Sequence, residues 1–459
     1  MKNYNYRNKL SVFFLLPLLF MGCKDFLEID PPETEITDKA VFANEATTKA
    51  VVAGLYSSLM ENEYLFTSGI NSITTVTGLS GDELLSYGRS MVHNNLYNNT
   101  LTGNETMSLW SDLYKTIYLA NGILEGLEQN DNIEENLKNQ WRGEALFIRA
   151  FCHFYLTNLF GKVPIVTSTD YRVNNQLSRS SSELVYQAIL SDLTEAESIM
   201  TEDFSHANGE RIRPNKWVAS ALLARVYLYT EDWGNAELYA SKLIDNSSFT
   251  LEDDLNSVFL TNSNEAIWHL KPVIPGYNTF DASTFVLTGE PTLVALNELQ
   301  RDAFEMNDLR QLRWIESSTA NGNTYYFSNK YKVKNDFTVT EYLMVLRLAE
   351  QYLIRSEARA KLNKLTEATD DINQLRERAG LPELSVGSQI QLLGAIAAER
   401  RSELFCEWGH RWFDMKRSNT IDEILGIEKL NWQPKDQLFP IPPGELTNNP
   451  ALAPQNPGY

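Results

Sequence analysis

The chain has 459 residues, 43% of them hydrophobic, with 21 Phe, 21 Tyr and 9 Trp, ample for a packed core and by length alone enough for about three domain-sized units. Sixty acidic residues against 40 basic ones give a formal charge of −20. That balance argues against nucleic acid, whose binding comes from Lys and Arg neutralising phosphates, and against loose adsorption to anionic lipid; it suits a neutral ligand or partner.

Lys2, Arg7 and Lys9 flank an apolar run from Leu10 to Met21. The run is too short to span a bilayer, so residues 1–22 read as a signal peptide. It ends at Phe20-Met21-Gly22-Cys23. A small residue just before Cys is what lipoprotein processing requires, which makes Cys23 the expected lipidation site. Acyl chains there would anchor the mature protein stably. The alternative is a short leader with an incidental Cys. Residues 23–40 form a tether, held extended by Pro31-Pro32. A helix is expected from Glu45 to Met60, with Val51, Val52, Leu55 and Leu59 at helical spacing.

Residues 62–106 are polar, Asn- and Gly-rich and weakly periodic. A loop region this long inside a compact domain is usually functional or disordered. Asp82, Tyr87, Arg89, His93, Asn95 and Tyr97 are its candidate ligand-binding residues. A flat ring covers the apolar face of a sugar, while planar polar groups meet its hydroxyls. An ordinary solvated excursion stands beside that reading.

Helices follow over Met107–Gln129 and Ile133–Leu159. The run Leu146–Tyr155 is apolar on most sides, so its helix should be central and His153 a satisfied core histidine. Ser181-Ser182-Glu183 begins a helix to about Met200, and Pro214 starts one to Tyr229 whose partner ends near Asp245. Leu223-Ala224, Tyr227 and Ala236 fall at tetratricopeptide spacing. The same gap separates Ser356 from Ala368 in a later pair, 341–363 and 365–379. Such hairpins are packing units and imply a scaffold rather than a reaction. Residues 250–340 break the pattern. Ile267–Leu270, Thr324–Phe327 and Tyr331–Lys334 read as short strands among turns and aromatics. Tyr277, Phe280, Trp314 and Tyr325 are the ligand-binding candidates here, with a core position equally open for Trp314.

A helical pattern begins near Ser388 and carries Glu399, Glu403 and Glu407 on one stripe. Like charges at that spacing repel by a few tenths of a kcal/mol per pair, so cations must answer them. Arg400, Arg401, Arg411 and Arg417 are the expected partners, and Gly409 the expected helix stop. Carboxylates among guanidinium groups have depressed pKa values, which suits ion pairing better than general-acid work. Prolines at 440, 442, 443, 450, 454 and 457 forbid a regular element in the tail, which reads as a strap packed on the body. Cys152 and Cys406 lie in apolar helical contexts. A disulfide between them is open, with two buried free thiols favoured. There is no phosphate-binding glycine loop, no nucleophile elbow and no metal-type Cys/His spacing. No metal site or cofactor is therefore expected.

The residues Glu399-Arg400, Glu403-Leu404, Glu407, Gly409-His410-Arg411-Trp412 and Phe413-Asp414 resemble the C-terminal signature of the SusD/RagB-like family, nutrient-binding outer-membrane lipoproteins of Bacteroidetes-type bacteria. The tail Phe439-Pro440-Ile441-Pro442, Glu445, Asn449-Pro450 and Gln455-Asn456-Pro457-Gly458-Tyr459 is also similar to the family's. Phe26-Leu27 with Pro31-Pro32 fits its N-terminal pattern, and Lys24-Asp25 resembles the export signal of surface lipoproteins. The expected fold is mainly α, with tetratricopeptide-like helical hairpins and a loop-rich insertion containing a few short strands. The resemblance implies a single domain over residues 41–459, with variable ligand-facing loops at about 62–106 and 250–340 and the signature over 388–459. It implies a non-catalytic protein, lipid-anchored in the outer membrane and facing the cell exterior. Such a protein binds a polysaccharide or oligosaccharide and delivers it to a SusC-like TonB-dependent channel. A peptide ligand, as in the RagB branch, is the alternative. A surface glycosidase is another, since its paired carboxylates can be distant in sequence. A pure interaction scaffold is a third.

Overall fold

The structure, a computed structural model, describes Phe42, residues 44–130 and residues 132–459. The expected signal peptide, the expected lipidation site Cys23 and the expected tether of residues 23–40 lie outside the described residues. The chain is mainly α-helical with a few short strands.

Helix α1 (Glu45–Ser58) is opened by Asn44, whose side chain accepts the Thr47 N–H and satisfies an orphan donor of the first turn. The region 62–106, expected as loop, holds α2 (Ile73–Ser80), β1 (Leu84–Ser86) and α3 (Met91–Asn98). α2 is Thr-rich, a composition of modest helix propensity, which is why periodicity missed it. Burial overrides propensity: every residue of α2 is buried, and the Thr77 hydroxyl bonds back to the Ile73 carbonyl.

α4 (Met107–Glu128) packs on α5 (Glu135–Phe160). α5 is central, as its all-round apolar sequence demands. Phe147 and Phe151 meet the Trp268 ring edge-to-face at 5.1 and 5.5 Å, and Phe151 meets Trp408 at 5.4 Å. His153 is a satisfied core histidine: its Nδ1 meets the Arg149 carbonyl and its Nε2 accepts from the Val166 N–H. Burial lowers its pKa to about 4.

α6 (Ser182–Ile199), α7 (Lys216–Tyr229) and α8 (Trp233–Ile244) extend the array. The strand-bearing region supplies β2 (Ala266–Leu270), β3 (Val294–Leu296), α9 (Leu309–Trp314), β4 (Ile315–Ala320) and β5 (Asn323–Ser328). β6 (Leu343–Arg347), α10 (Leu348–Lys361), α11 (Leu365–Arg378), α12 (Gln389–Glu403), α13 (His410–Arg417) and α14 (Ile421–Glu428) complete the elements needed below. The strands pair antiparallel as β1–β3, β2–β6 and β4–β5.

The helix pairs α7–α8 and α10–α11 share one geometry. Positions 224, 231 and 236 recur as 356, 363 and 368. Glu231 and Asn363 both sit in the inter-helix turn at positive φ, 59° and 62°. Ala224, Ala236 and Ala240 of the first pair pack against Ile354 and Ala358 of the second. Small side chains let the helices approach closely.

Four boundaries differ from expectation. The helix expected from residue 341 begins at Leu348, because Leu343–Arg347 pairs with β2. Tyr331–Lys334 is not a strand: the Lys332 and Val333 N–H groups go to the Glu341 carboxylate instead of a ladder, at 2.8 and 3.1 Å. α12 stops at Glu403, short of Gly409. The following N–H groups find tertiary acceptors, Cys406 on Glu83 and Trp408 on the Thr74 hydroxyl. Gly409 itself lies at φ 74°, where an added Cβ would stand 2.7 Å from Thr77 Oγ1. The Pro-rich tail contains short helical turns at Pro434–Gln437, Pro443–Asn448 and Pro450–Leu452. Each has Pro in its first turn, where a missing N–H costs nothing. The tail is a strap nonetheless: Phe439 N–H donates to the Leu159 carbonyl, and the Asn456 side-chain amide to those of Phe160 and Phe439. One buried core runs from Val52 to Leu452, and Cys152 and Cys406 are both buried free thiols within it.

Candidate functional site

The signature carboxylates are buried and paired, but not with the expected cations. Arg347 reaches Glu403 at 2.6 Å, Glu407 at 2.8 Å and Glu265 at 2.9 Å. Arg310 joins Asp308 at 2.7 Å and Glu403 at 3.0 Å and also pairs with Glu399. Lys330 meets Glu407 at 2.5 Å, and Arg378 joins Glu265 and Glu403. Burial raises the Glu403 carboxyl, yet Arg378, Arg347 and Arg310 outweigh it and hold it well below the ordinary range. Glu407 is likewise lowered against its burial by Arg347 and Lys330. Glu399 departs from expectation: burial dominates and its pKa is raised. Arg400 and Arg417 pair with Asp414, and Arg401 and Arg411 with Asp82. Sequence distance misled here, because the partners of α12 come from α9, β6 and α11.

The two loop regions meet through β1 and β3, where Leu84 pairs with Leu296 and Ser86 with Val294. The Tyr87 N–H continues the contact to the Leu293 carbonyl at 2.9 Å. β5 packs on β3 and carries Tyr325. The β4–β5 hairpin is closed by Asn321-Gly322, both at positive φ, the chemistry a tight hairpin turn requires. As a result Tyr87 and Tyr325, more than two hundred residues apart in the chain, touch edge-to-face at 5.5 Å and 90°. Tyr87 is 40% exposed and Tyr325 is half-buried. Tyr326, the next residue of β5, lies under the Arg301 guanidinium at 4.6 Å. Arg89, two residues after Tyr87 in the chain, is exposed.

A second aromatic surface lies on 273–280 and 335–341. The Asn278 side-chain oxygen accepts from the Thr340 and Glu341 N–H groups and laces the two segments together. Tyr277 packs on Phe280 at 5.3 Å. Phe337 is 85% exposed beside Gly276, and Val273 and Val339 are also exposed. Sequence reasoning passed over Phe337, Tyr326 and Arg301. The Asn-Gly turn dipeptide was the available signal for the hairpin that presents Tyr326.

Several candidates face inward. Trp314 is fully buried, donates from Nε1 to the Leu255 carbonyl at 2.9 Å and lies beneath Lys330 at 4.7 Å; it is a core residue. Phe280 is buried behind Tyr277. Asp82 is buried and gripped by Arg411 at 2.7 Å. Burial raises its carboxyl, but Arg411 and Arg401 prevail and lower it, so it fastens the first loop region to the signature. His93 is buried, and burial lowers its pKa. Asn95 is half-buried and spends its amide on Glu105. Tyr97 is half-buried under the Lys429 ammonium at 3.9 Å. Of the sequence candidates this leaves Tyr87 and Arg89 exposed, and Tyr277 and Tyr325 half-buried with no polar side-chain partner among the described residues to hold them.

Both aromatic surfaces reach solvent, the first through Tyr87 and the second through Phe337. Clefts of about 370 and 690 Å³ lie elsewhere, lined respectively by residues such as Thr100 and Trp432 and by Phe204 and Trp217. An open aromatic ridge can cover one face of a long polymer, whereas an enclosed pocket selects a small ligand. Among the described residues no group of three or more His, Cys, Asp or Glu is placed to hold a metal ion, and no helix is long and apolar enough to cross a membrane.

Residues 25–228 match a family model of SusD-like proteins described as starch-binding and associating with the outer membrane. A relative named SusD-like protein P2, from Formosa agariphila, is 27% identical over 97% of this chain and 99% of its own length. The starch-binding protein SusD of Bacteroides thetaiotaomicron is 23% identical over 72% of this chain and 75% of its own. Among solved structures, a laminarin-binding SusD-like protein superposes with TM-score 0.74 at 23% identity, covering 91% of this chain and all of that one.

Proposed function

We propose that this chain, similar to SusD-like proteins over almost its whole length, acts as they do: it captures a polysaccharide or oligosaccharide at the outer cell surface and passes it to a SusC-like TonB-dependent channel without altering it. The observation that carries the reading is the Tyr87–Tyr325 pair, two rings brought from different loop regions to one open ridge. The rings offer stacking surface for the apolar faces of sugar units, and the exposed Arg89, two residues on from Tyr87, offers a donor to hydroxyls. The signature carboxylates are spent on cations, which leaves them unsuited to protonating a glycosidic oxygen. One similar structure belongs to a laminarin-binding protein and one relative is a starch-binding protein, so carbohydrate is the ligand class to test first. Acylation of Cys23 would hold the protein at the membrane, with the tether of residues 23–40 as its leash.

The test is calorimetric titration of the soluble chain begun at Lys24 with plant, host and microbial polysaccharides, and with dialysed peptides as a second panel. Heat from one glycan class with no new reducing ends is the expected result. Heat from peptides alone would move the assignment to a peptide ligand, and release of reducing sugar would make the protein a glycosidase.

A further inference from the structure

The arginines that were expected to neutralise the stripe on α12 instead gather on its other side. A cleft of about 350 Å³ opens between α10, α12, α13 and the start of α14. Lys361, Arg400, Arg401, Arg411 and Arg417 line it, with Glu357 and Asp414 as the lining carboxylates. Five cations against two anions is a local excess of positive charge on a chain whose net charge is −20.

The pairing in the cleft is uneven. Arg417 is fully engaged, with its fork on Glu357 and its Nε on Asp414 at 2.8 Å. Arg401 and Arg411 share Asp82 at 3.2 and 2.7 Å, and Arg401 also donates to Gln300 Oε1 and to the Leu299 carbonyl. Burial lowers the Arg401 pKa in spite of Asp82, whereas the bond to Asp82 outweighs burial at Arg411 and raises it. Arg400 is the clearest case. Its side chain is 2% exposed and it gives only Nε, to Asp414 at 2.7 Å, while its Nη1 is buried without any hydrogen-bond partner. Buried polar groups are almost always satisfied, and a charged exception calls for a missing acceptor. The turns of α12 just before Arg400 and Arg401 on the same face are small-sided: an added Cβ on Gly394 would meet nothing within 4 Å, and Ala397 is exposed.

We propose that this cleft binds an oxyanion, either a free sulfate or phosphate or the carboxylate of an acidic sugar. Guanidinium groups present paired N–H donors that match two oxygens of such a group, and a bound anion would supply the acceptor that Arg400 lacks and add counter-charge beside Arg401. The site has no residue in common with the tyrosine ridge and stands independently of the glycan reading.

The test is titration of the chain begun at Lys24 with sodium sulfate, phosphate and glucuronate, each against sodium chloride at equal ionic strength and with glucose as the neutral control. Saturable heat from at least one oxyanion, with none from chloride or glucose, is expected. A response to sulfate or phosphate alone assigns a free inorganic anion, and a response to glucuronate alone assigns an acidic sugar. Ala397→Glu places a carboxylate at the mouth of the cleft from an exposed helix position, and Arg401→Gln removes one donor; each should weaken the anion at least tenfold. Ala397→Glu should do so with an unchanged melting temperature in chloride. Heat indistinguishable from chloride, or full affinity retained in both variants, overturns the proposal. Tyr87→Ala should leave the oxyanion response intact whatever it does to neutral glycans, which separates failure of this site from failure of the ridge.

Discussion

The signature network and the tyrosine ridge treat their side chains in opposite ways. At the network, Glu403 and Arg347 are fully buried and each has several charged partners. Replacing any one of them strands the others. On the ridge, Tyr87 and Tyr325 touch one another and solvent, and the fold asks little of them beyond being there. A residue bound by many partners is constrained in type and position and so leaves a readable motif. A residue that faces a ligand is constrained by the ligand, which the chain does not encode.

The contrast can be broken most severely at Arg347. Arg347→Ala leaves Glu265, Glu403 and Glu407 short of a cation in the core. Removing one partner of a buried pair costs about 3–5 kcal/mol, so urea unfolding should show a loss of that size. A loss under ~1 kcal/mol, typical of an exposed ion pair, would mean that the network is solvated and the contrast false.

The next effect is a pH dependence at the junction of the two regions. Glu83 accepts the Cys406 N–H at 3.0 Å, and burial raises its pKa from 4.5 to about 7. The folded state therefore binds this proton more tightly than the unfolded chain. The stabilisation is fully present below pH 4.5 and is lost as pH rises to about 7, at up to about 1.4 kcal/mol per pH unit. Glu83→Gln has no such proton, so the stability of the wild type relative to Glu83→Gln should fall across that window. Parallel curves between pH 4.5 and 7 would show that the group titrates normally.

On the ridge the expected signs are reversed. Tyr87→Ala and Tyr325→Ala should each cost under about 1 kcal/mol of folding stability, since the edge-to-face contact itself is worth ~0.5–1.5 kcal/mol and both rings are partly solvated. Each should weaken glycan binding about tenfold, or about 1.4 kcal/mol. A double-mutant cycle measures how far the two rings act as one platform. Strong destabilisation with intact binding would make them packing residues.

How far the sequence could be read follows the same division. The helix pairs were legible because Ala224, Ala236, Ser356 and Ala368 repeat at fixed spacing, and His153 was placed correctly because its whole helix is apolar. The signature carboxylates were recognisable as ion pairs, while their partners were not: Arg310, Arg347 and Lys330 are far away in the chain and close only after folding. α2 was invisible because Thr-rich segments form helices only when buried. Trp314 was ambiguous for a plain reason, since an indole serves a core and a sugar site equally well. What excluded it as a ligand contact was the Leu255 carbonyl that holds its Nε1.

The finest distinction lies within the aromatic surface, between the tyrosine ridge and the patch around Phe337. Phe337 is 85% exposed, so it contributes almost nothing to packing. Phe337→Ser should shift stability by no more than ~0.5 kcal/mol, as for other surface substitutions. A single exposed apolar ring is ordinary, whereas a larger exposed patch marks an interaction site; here Val273 and Val339, on the same two segments, are exposed as well. If that patch serves as an outlying contact for a long chain, Phe337→Ser should weaken a polysaccharide by a factor of about two to five, or roughly 0.4–1 kcal/mol, and leave a short oligosaccharide of the same linkage unchanged. Titration of the wild type and the variant with both lengths reads this directly. An equal loss for both would place Phe337 beside Tyr87 and Tyr325 in a single contact, and no loss for either would confine the ligand to the tyrosine ridge.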